Sequence, residues 1–299
     1  VLNKLNVIQV QEKYYKFKNS SFCLKGKDAE DYLNRFTTNE LKGMEDGQYK
    51  YSVLTDFNGH IIDLILIIKR TDGLLIICSP RKYDVVTAHL DKYIMSEDVQ
   101  IEKSEFNNSI LIFYPFVNEE YNSLTNNVYD YDGNAYTIKD PFFRGNVRII
   151  YSDSDGISES GKMMTNDEFE FYRISNLIPY SSGELNEKVI PLECNLTDFI
   201  SFDKGCYLGQ EVIARITSQN KLPKSMHTFK SEVQLFPEER IFIKNNDDEN
   251  FSECGFLTSV TSANNVFHAL GFIRQKNLNE EQKYYIVRDN KYKEFLLIK

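Results

Sequence analysis

No two cysteines in this chain stand at a metal-binding or disulfide-framework spacing: Cys23, Cys78, Cys194, Cys206 and Cys254 are scattered, without a C-x-x-C pair. That argues against a zinc ribbon and a disulfide-stapled secreted scaffold, and the odd count points to a reducing compartment. Histidine is scarce too. His60, His89, His227 and His268 show no ligand spacing, so no stably bound metal is expected. Basic charge is in deficit, with 35 Lys and Arg against 44 Asp and Glu and a net charge of -9. A general nucleic-acid surface is therefore not expected. The longest apolar run, IIDLILII (Ile61 to Ile68), is too short to cross a bilayer and carries Asp63 inside it, so no membrane partner is expected. Tryptophan is absent, and neither a P-loop nor a G-x-G-x-x-G turn occurs.

What remains is a chain of 299 residues, 41% hydrophobic, enough to drive folding by ordinary burial and long enough for two or three compact units. Residues 22–24 read as a short strand, followed by a helix from Asp28 to Phe36. Antiparallel strands are expected over Tyr49–Thr55, His60–Lys69 and Leu74–Cys78, punctuated by the DFNG and TDG turns. A helix should follow Pro80 to Ile94, with extended segments at 99–101 and 110–113. Strands and helices mix without regular βαβ alternation, which gives an α+β class. The Asn-, Tyr- and Asp-rich stretch 118–140 and the polar stretch 151–162 read as surface loops. Thr165 and Glu168 fit a capping box opening a helix through Ile174. Short strands beyond Leu222 form a separate small β unit over 222–299.

The segment FDKGCYLGQEVIAR (Phe202 to Arg215) places Cys206 between Gly205 and Gly209, with Lys204 before it and Gln210-Glu211 after it. A helix beginning near Leu208 or Gly209 puts the thiol close to a helix N-terminus, where Lys204 is expected to help favour the thiolate and Glu211 to oppose it. The same residues read equally as a structural turn with a packed cysteine. Asp63, among apolar neighbours, needs a compensating partner if both faces of its strand are buried; a pterin ring's paired N–H donors offer one, and a wet face or a nearby Lys or Arg another. Glu193, in IPLECNL, reads as a helix-start charge or ion-pair partner.

KGCYLGQE (Lys204 to Glu211) resembles the K-x-C-Y/F-x-G-Q-E signature of the YgfZ-type folate-binding proteins, relatives of the glycine-cleavage T protein. The likeness extends through PLECNL, Arg173-Ile174 and Ile178-Pro179, and through Thr37-Thr38-Asn39, NGHIIDLIL, GFLTSV and HALGFIR. It implies a disc of α+β folate-binding units around a central pocket with a C-terminal β-barrel: an α+β region over 1–221, made of interleaved subdomains (1–48 with 115–221, and 49–114), then the barrel over 222–299. The implied cofactor is tetrahydrofolate or a derivative, with Asp63, Arg173, Glu193, Tyr207, Gln210 and Glu211 about it and Cys206, with Lys204, as the functional thiol at the pocket mouth. The G-Y-T-G-E-x-G-Y-E stretch of an aminomethyltransferase is missing, and a cysteine stands where those enzymes lack one. The resemblance therefore favours a tetrahydrofolate-binding assembly factor for [4Fe–4S] proteins. Implied partners are A-type iron–sulfur carrier proteins and [4Fe–4S] client enzymes, and the implied location is the mitochondrion, with the cytoplasm as the alternative. A folate-dependent aminomethyl- or methyltransferase is the alternative, and a thiol-redox or protein-interaction module a third reading.

Overall fold

A computed structural model describes residues 12–115, 119–154, 161–244, 250–279, 283–289 and 291–297. The chain opens with β1 (Lys13–Lys18), β2 (Ser20–Lys25) and α1 (Ala29–Asn34). Next come β3 (Tyr49–Thr55), β4 (Ile61–Arg70), β5 (Gly73–Cys78), α2 (Tyr83–Asp91), β6 (Gln100–Lys103) and β7 (Asn108–Phe113). The middle carries α3 (Glu119–Ser123), β8 (Asp130–Tyr131), β9 (Ala135–Lys139), β10 (Val147–Ser152), β11 (Lys162–Met163), α4 (Asn166–Ser175), α5 (Ser181–Glu184) and α6 (Gln210–Gln219). Six strands finish it: β12 (Lys224–Ser231), β13 (Arg240–Lys244), β14 (Phe251–Ala263), β15 (Val266–Arg274), β16 (Tyr284–Arg288) and β17 (Lys291–Leu297).

These strands make a six-stranded sheet, β11-β1-β7-β10-β9-β8, a five-stranded sheet, β3-β4-β5-β2-β6, and a closed barrel, β12-β15-β14-β13-β16-β17. The barrel closes where Phe229 and Lys230 of β12 pair with Leu297 and Leu296 of β17. The α+β class and the C-terminal barrel are thus both present. The sheets do not divide at the expected subdomain boundaries, however. β2 pairs with β5 and β6, and β7 pairs with β1 and β10, so the chain changes sheets within 18–20 and again between 103 and 108.

The five-stranded sheet is apolar on both faces. On β4, Leu64, Leu66 and Ile68 pack into the central core shared with β7, β10, α4 and the barrel residues Met226, Leu270 and Phe272. Ile65 and Ile67 pack on the other side with α1 and α2. A strand covered on both sides reads as a continuous hydrophobic run, which is why IIDLILII lacks alternation. The described part of the expected loop 118–140, residues 119–140, carries α3, β8 and β9: β9 lies between β10 and β8, with Tyr136 and Ile138 buried. Part of the expected loop 151–162, residues 155–160, lies outside the described residues. The capping box at α4 forms in full, Glu168 N–H donating to Thr165 Oγ1 (3.2 Å) and Thr165 N–H to the Glu168 carboxylate (2.9 Å).

Candidate functional site

The KGCYLGQE segment is a turn pinned to distant parts of the chain. Lys204 is buried, and its ammonium donates to Asn34 O (2.8 Å), Asn34 Oδ1 (2.9 Å), Thr37 O (2.8 Å) and Asn39 O (2.7 Å). Those acceptors line the exit of α1, whose carbonyls lack helical partners. Burial without a contacting carboxylate lowers the lysine to about 8. The Tyr207 ring lies 5.3 Å from the ammonium and packs with Ile200 and Ile213; burial raises its phenol to about 12. Leu208 N–H donates to Arg35 O (2.9 Å), and Thr55 Oγ1 donates to Leu208 O (2.7 Å).

Gly209 caps α6 at φ +85, where a Cβ would lie 2.4 Å from Asp56 O and 2.8 Å from the Gly59 backbone. Only glycine allows the DFNG turn to approach so closely.

Cys206 is exposed on this turn. Lys204 makes its hydrogen bonds to carbonyls at the end of α1 and none of them to the thiol. Three residues also separate the thiol from the first residue of α6, so it lies outside the first turn where the helix field is strongest. Gln210 is half-buried and Glu211 exposed at the start of α6.

Asp63 sits where β3 and β4 slip register, Leu54 pairing with Asp63 but Thr55 with Ile61. Its side chain is fully buried. Oδ2 accepts from Ser79 N–H (2.8 Å), while Oδ1 is buried with no hydrogen-bond partner. Lys82 donates to the neighbouring carbonyl of Ile62 (3.0 Å) and does not bond the carboxylate. Burial raises the acid to about 6 against the pull of the Ser79 hydrogen bonds and Lys82. Leu64, Cys78, Ser79 and Pro80 near it open onto a cavity of about 50 Å³ walled by Phe17, Tyr51, Phe142, Phe143, Tyr151 and Tyr180, which Asp63 itself does not line. None of residues 204–211 lines this cavity, so the thiol turn and the aromatic cavity are separate features.

Arg173 and Glu193 do not line it either. Arg173 is buried and donates to Glu170 (2.7 and 2.5 Å) and Glu184 (3.2 Å). Glu184 in turn accepts from Thr258 Oγ1 (2.5 Å), Ser259 Oγ (2.6 Å) and Tyr180 N–H (3.1 Å). This network ties α4 and α5 to barrel strand β14, and with the bond to Ile178 O it occupies four of the five guanidinium N–H groups. Glu193 caps the 3-10 turn Pro191–Cys194 by accepting from Ile190 N–H (3.1 Å), with Lys224 at 3.6 Å. It is the local charge its setting suggests. Sequence reasoning passed over Tyr51, Tyr151, Tyr180 and Asp140; the hydroxyls of the first two meet at 3.4 Å, and Tyr51 donates to Asp140 (2.6 Å).

The GCVT N-terminal domain family matches residues 18–112. The chain is 22% identical over 289 residues to the tRNA-modifying protein YgfZ of Buchnera aphidicola subsp. Schizaphis graminum, covering 92% of this chain and 89% of that one. It is 25% identical over 139 residues to the mitochondrial iron-sulfur cluster assembly factor IBA57 homolog of Scheffersomyces stipitis, covering 45% of this chain and 27% of that one. It spans about 60% of the aminomethyltransferases it matches. The glycine cleavage system aminomethyltransferase T from Bartonella henselae superposes with a TM-score of 0.78 at 13% identity, covering 96% of this chain and 85% of that one, which shows a shared fold. With the thiol turn, the two interleaved sheets and the closed barrel already described, these matches make the chain similar in sequence to YgfZ-type and glycine-cleavage T-protein-like proteins, whose fold it shares.

Proposed function

We propose that the chain is a tetrahydrofolate-binding assembly factor acting in the maturation of [4Fe–4S] proteins in mitochondria. One observation carries the folate part: Asp63 has an acceptor oxygen buried and unpartnered, and its strand neighbour Leu64 and hydrogen-bond partner Ser79 line an aromatic cavity. Such an oxygen is costly unless a donor arrives, and a pterin's amino group and ring N–H supply paired donors. The chemistry of the walls fits, since Phe142, Tyr151 and Tyr180 can cover a flat ring. The volume is below the roughly 300 Å³ of an ordinary ligand pocket, so binding requires the aromatic walls to part. Bound tetrahydrofolate would supply nitrogens that carry a one-carbon unit.

The assembly part rests on Cys206, exposed on a turn held rigid by Lys204 and Gly209. Three roles are open to such a thiol: a persulfide, a one-carbon adduct, or one ligand to a cluster in transit on an A-type carrier. A single cysteine is too few for a resident cluster. The shared fold also supports a second reading, a folate-dependent aminomethyltransferase, whose signature would be release of ammonia and methylenetetrahydrofolate from an aminomethyl-lipoyl carrier.

Anaerobic calorimetric titration with tetrahydrofolate tests the pocket, run on the parent, Asp63→Ala and Cys206→Ser. Saturable binding lost in the first variant and kept in the second, with Cys206→Ser failing to restore [4Fe–4S] enzymes in depleted cells, is the expected result. Absence of binding by the parent would sink the folate reading, and full restoration by Cys206→Ser the role given to the thiol.

A further inference from the structure

Asp140 plays no part in the proposal above, yet it is buried (3% exposed) behind the aromatic cavity. Its Oδ2 accepts from Phe143 N–H (2.6 Å) and its Oδ1 from the Tyr51 hydroxyl (2.6 Å), which lies 3.4 Å from the Tyr151 hydroxyl. Both phenols line the cavity. On its other side Asp140 borders a polar crevice of about 320 Å³ with Lys139 and Arg144 on its rim.

A carboxylate at the end of a hydroxyl chain orients the chain, because an ionised carboxylate only accepts. Tyr51 must give its proton to Asp140, so any hydrogen bond between the phenols runs from Tyr151 to Tyr51. Both protons then point toward Asp140, and the oxygens present only lone pairs to the cavity. Tyr51 pairs across the sheet with Leu66, three residues along β4 from Asp63, which puts the phenols about 10 Å along the strand from that carboxylate. The phenol end of the cavity would therefore accept and not donate.

We propose that Asp140 is a specificity-determining positioning residue: by fixing the proton direction at Tyr51 and Tyr151 it makes the cavity select a reduced pterin ring over an oxidised one. The proposal rests on the folate reading and deepens it. A reduced ring carries N–H donors at its saturated nitrogens, whereas the oxidised ring has bare acceptor nitrogens there. Facing lone pairs on both partners leave buried acceptors unpaired, the mismatch that sites built for hydrogen bonding reject most strongly. Burial raises Asp140 to about 6, against the hydrogen bonds from Phe143 and Tyr51, so it is ionised at neutral pH. The groups facing it are Tyr49 and Tyr51 from β3, Tyr121 from α3, Tyr151 from β10 and Tyr172 from α4, together with Lys139 and Arg144. Once protonated, Asp140 can donate to Tyr51 and the phenol proton can turn to the cavity, relaxing the selection.

The test compares tetrahydrofolate with folic acid by anaerobic calorimetry on the full chain, as parent, Asp140→Asn and Tyr51→Phe, above and below pH 6. Both ligands offer Asp63 similar donors, so its titration largely cancels in the affinity ratio. The parent should prefer tetrahydrofolate about tenfold or more at neutral pH, with the ratio falling as pH drops through 6. In both variants the ratio should be small and flat with pH. Should Asp140→Asn fail to fold, Tyr51→Phe decides. A parent that binds tetrahydrofolate while Tyr51→Phe keeps the full preference overturns the inference and leaves the folate reading standing. A parent that binds neither ligand overturns both.

Discussion

Replacing Asp63 by Asn should make the protein more resistant to unfolding at neutral pH while removing its affinity for reduced folate. The folded acid titrates at about 6 against an ordinary 3.8, a shift caused chiefly by burial. A raised carboxylate is a liability that appears as pH climbs: below the ordinary value both states are protonated and nothing is lost. Between about pH 4 and 6 the unfolded chain ionises while the folded one resists. By pH 7 the two-unit shift amounts to about 3 kcal/mol of lost stability, and at pH 4 to about 0.5 kcal/mol. Asn has no such titration and its carbonyl can keep the Ser79 N–H bond. Any difference in packing or amide hydrogen bonding acts alike at both pH values. The stability gap between variant and parent should therefore shift in the variant's favour by about 2.5 kcal/mol from pH 4 to pH 7. Equilibrium urea unfolding followed by far-ultraviolet circular dichroism at several pH values measures it. A gap that stays constant over that range refutes the reasoning, because Asp63 would then not be held as a desolvated acid.

The turn around Cys206 offers a matched pair. Gly209→Ala should lose on the order of 2–4 kcal/mol, because its Cβ meets the Asp56 carbonyl, whereas Gly205→Ala, with open space around it, should change stability by less than about 0.5 kcal/mol in urea titrations. Equal effects would mean the turn is not clamped to DFNG. Glu184→Gln should cost about 3 kcal/mol and speed proteolysis between α6 and β12, since the buried carboxylate joins Arg173 to Thr258 and Ser259. An unchanged cleavage rate would place the barrel's attachment elsewhere. Iodoacetamide on the native protein should label Cys206 well before the buried Cys78, Cys194 and Cys254, read by peptide mass spectrometry; equal labelling would contradict the exposure described.

Much of this fold could be read from local chemistry. Strands β3 to β5 announce themselves by apolar runs between DFNG and TDG, and α4 by a capping box that the structure completes. Other elements were hidden because packing overrode composition. The stretch around Tyr136 looks like a loop by its Asn and Asp content, yet β9 forms because β10 offers it an edge and the core takes Tyr136 and Ile138. At the site, sequence could pick out the motif and not its partners. Nothing near Lys204 tells that its ammonium reaches Asn34, Thr37 and Asn39, or that Arg173 is spent on Glu170 and Glu184. A charged residue inside a motif invites a ligand role; only its donors and acceptors in three dimensions decide whether any are left to offer.

The same accounting separates the buried carboxylates. On Glu184, four donors from Arg173, Tyr180, Thr258 and Ser259 fill both oxygens, so the group is a fastener between elements. Asp140 has a donor on each oxygen, but one of them is a phenol lining the cavity, so its charge is transmitted as a direction of hydrogen bonding. Asp63 alone of the three keeps an oxygen buried and unpartnered. Folding cannot recover the cost of desolvating that oxygen, whereas binding a donor can. Selection for stability alone would remove the charge, as the Asn variant should show; its presence inside the apolar run Ile61–Ile68 is a physical argument that the carboxylate is kept to receive a donor.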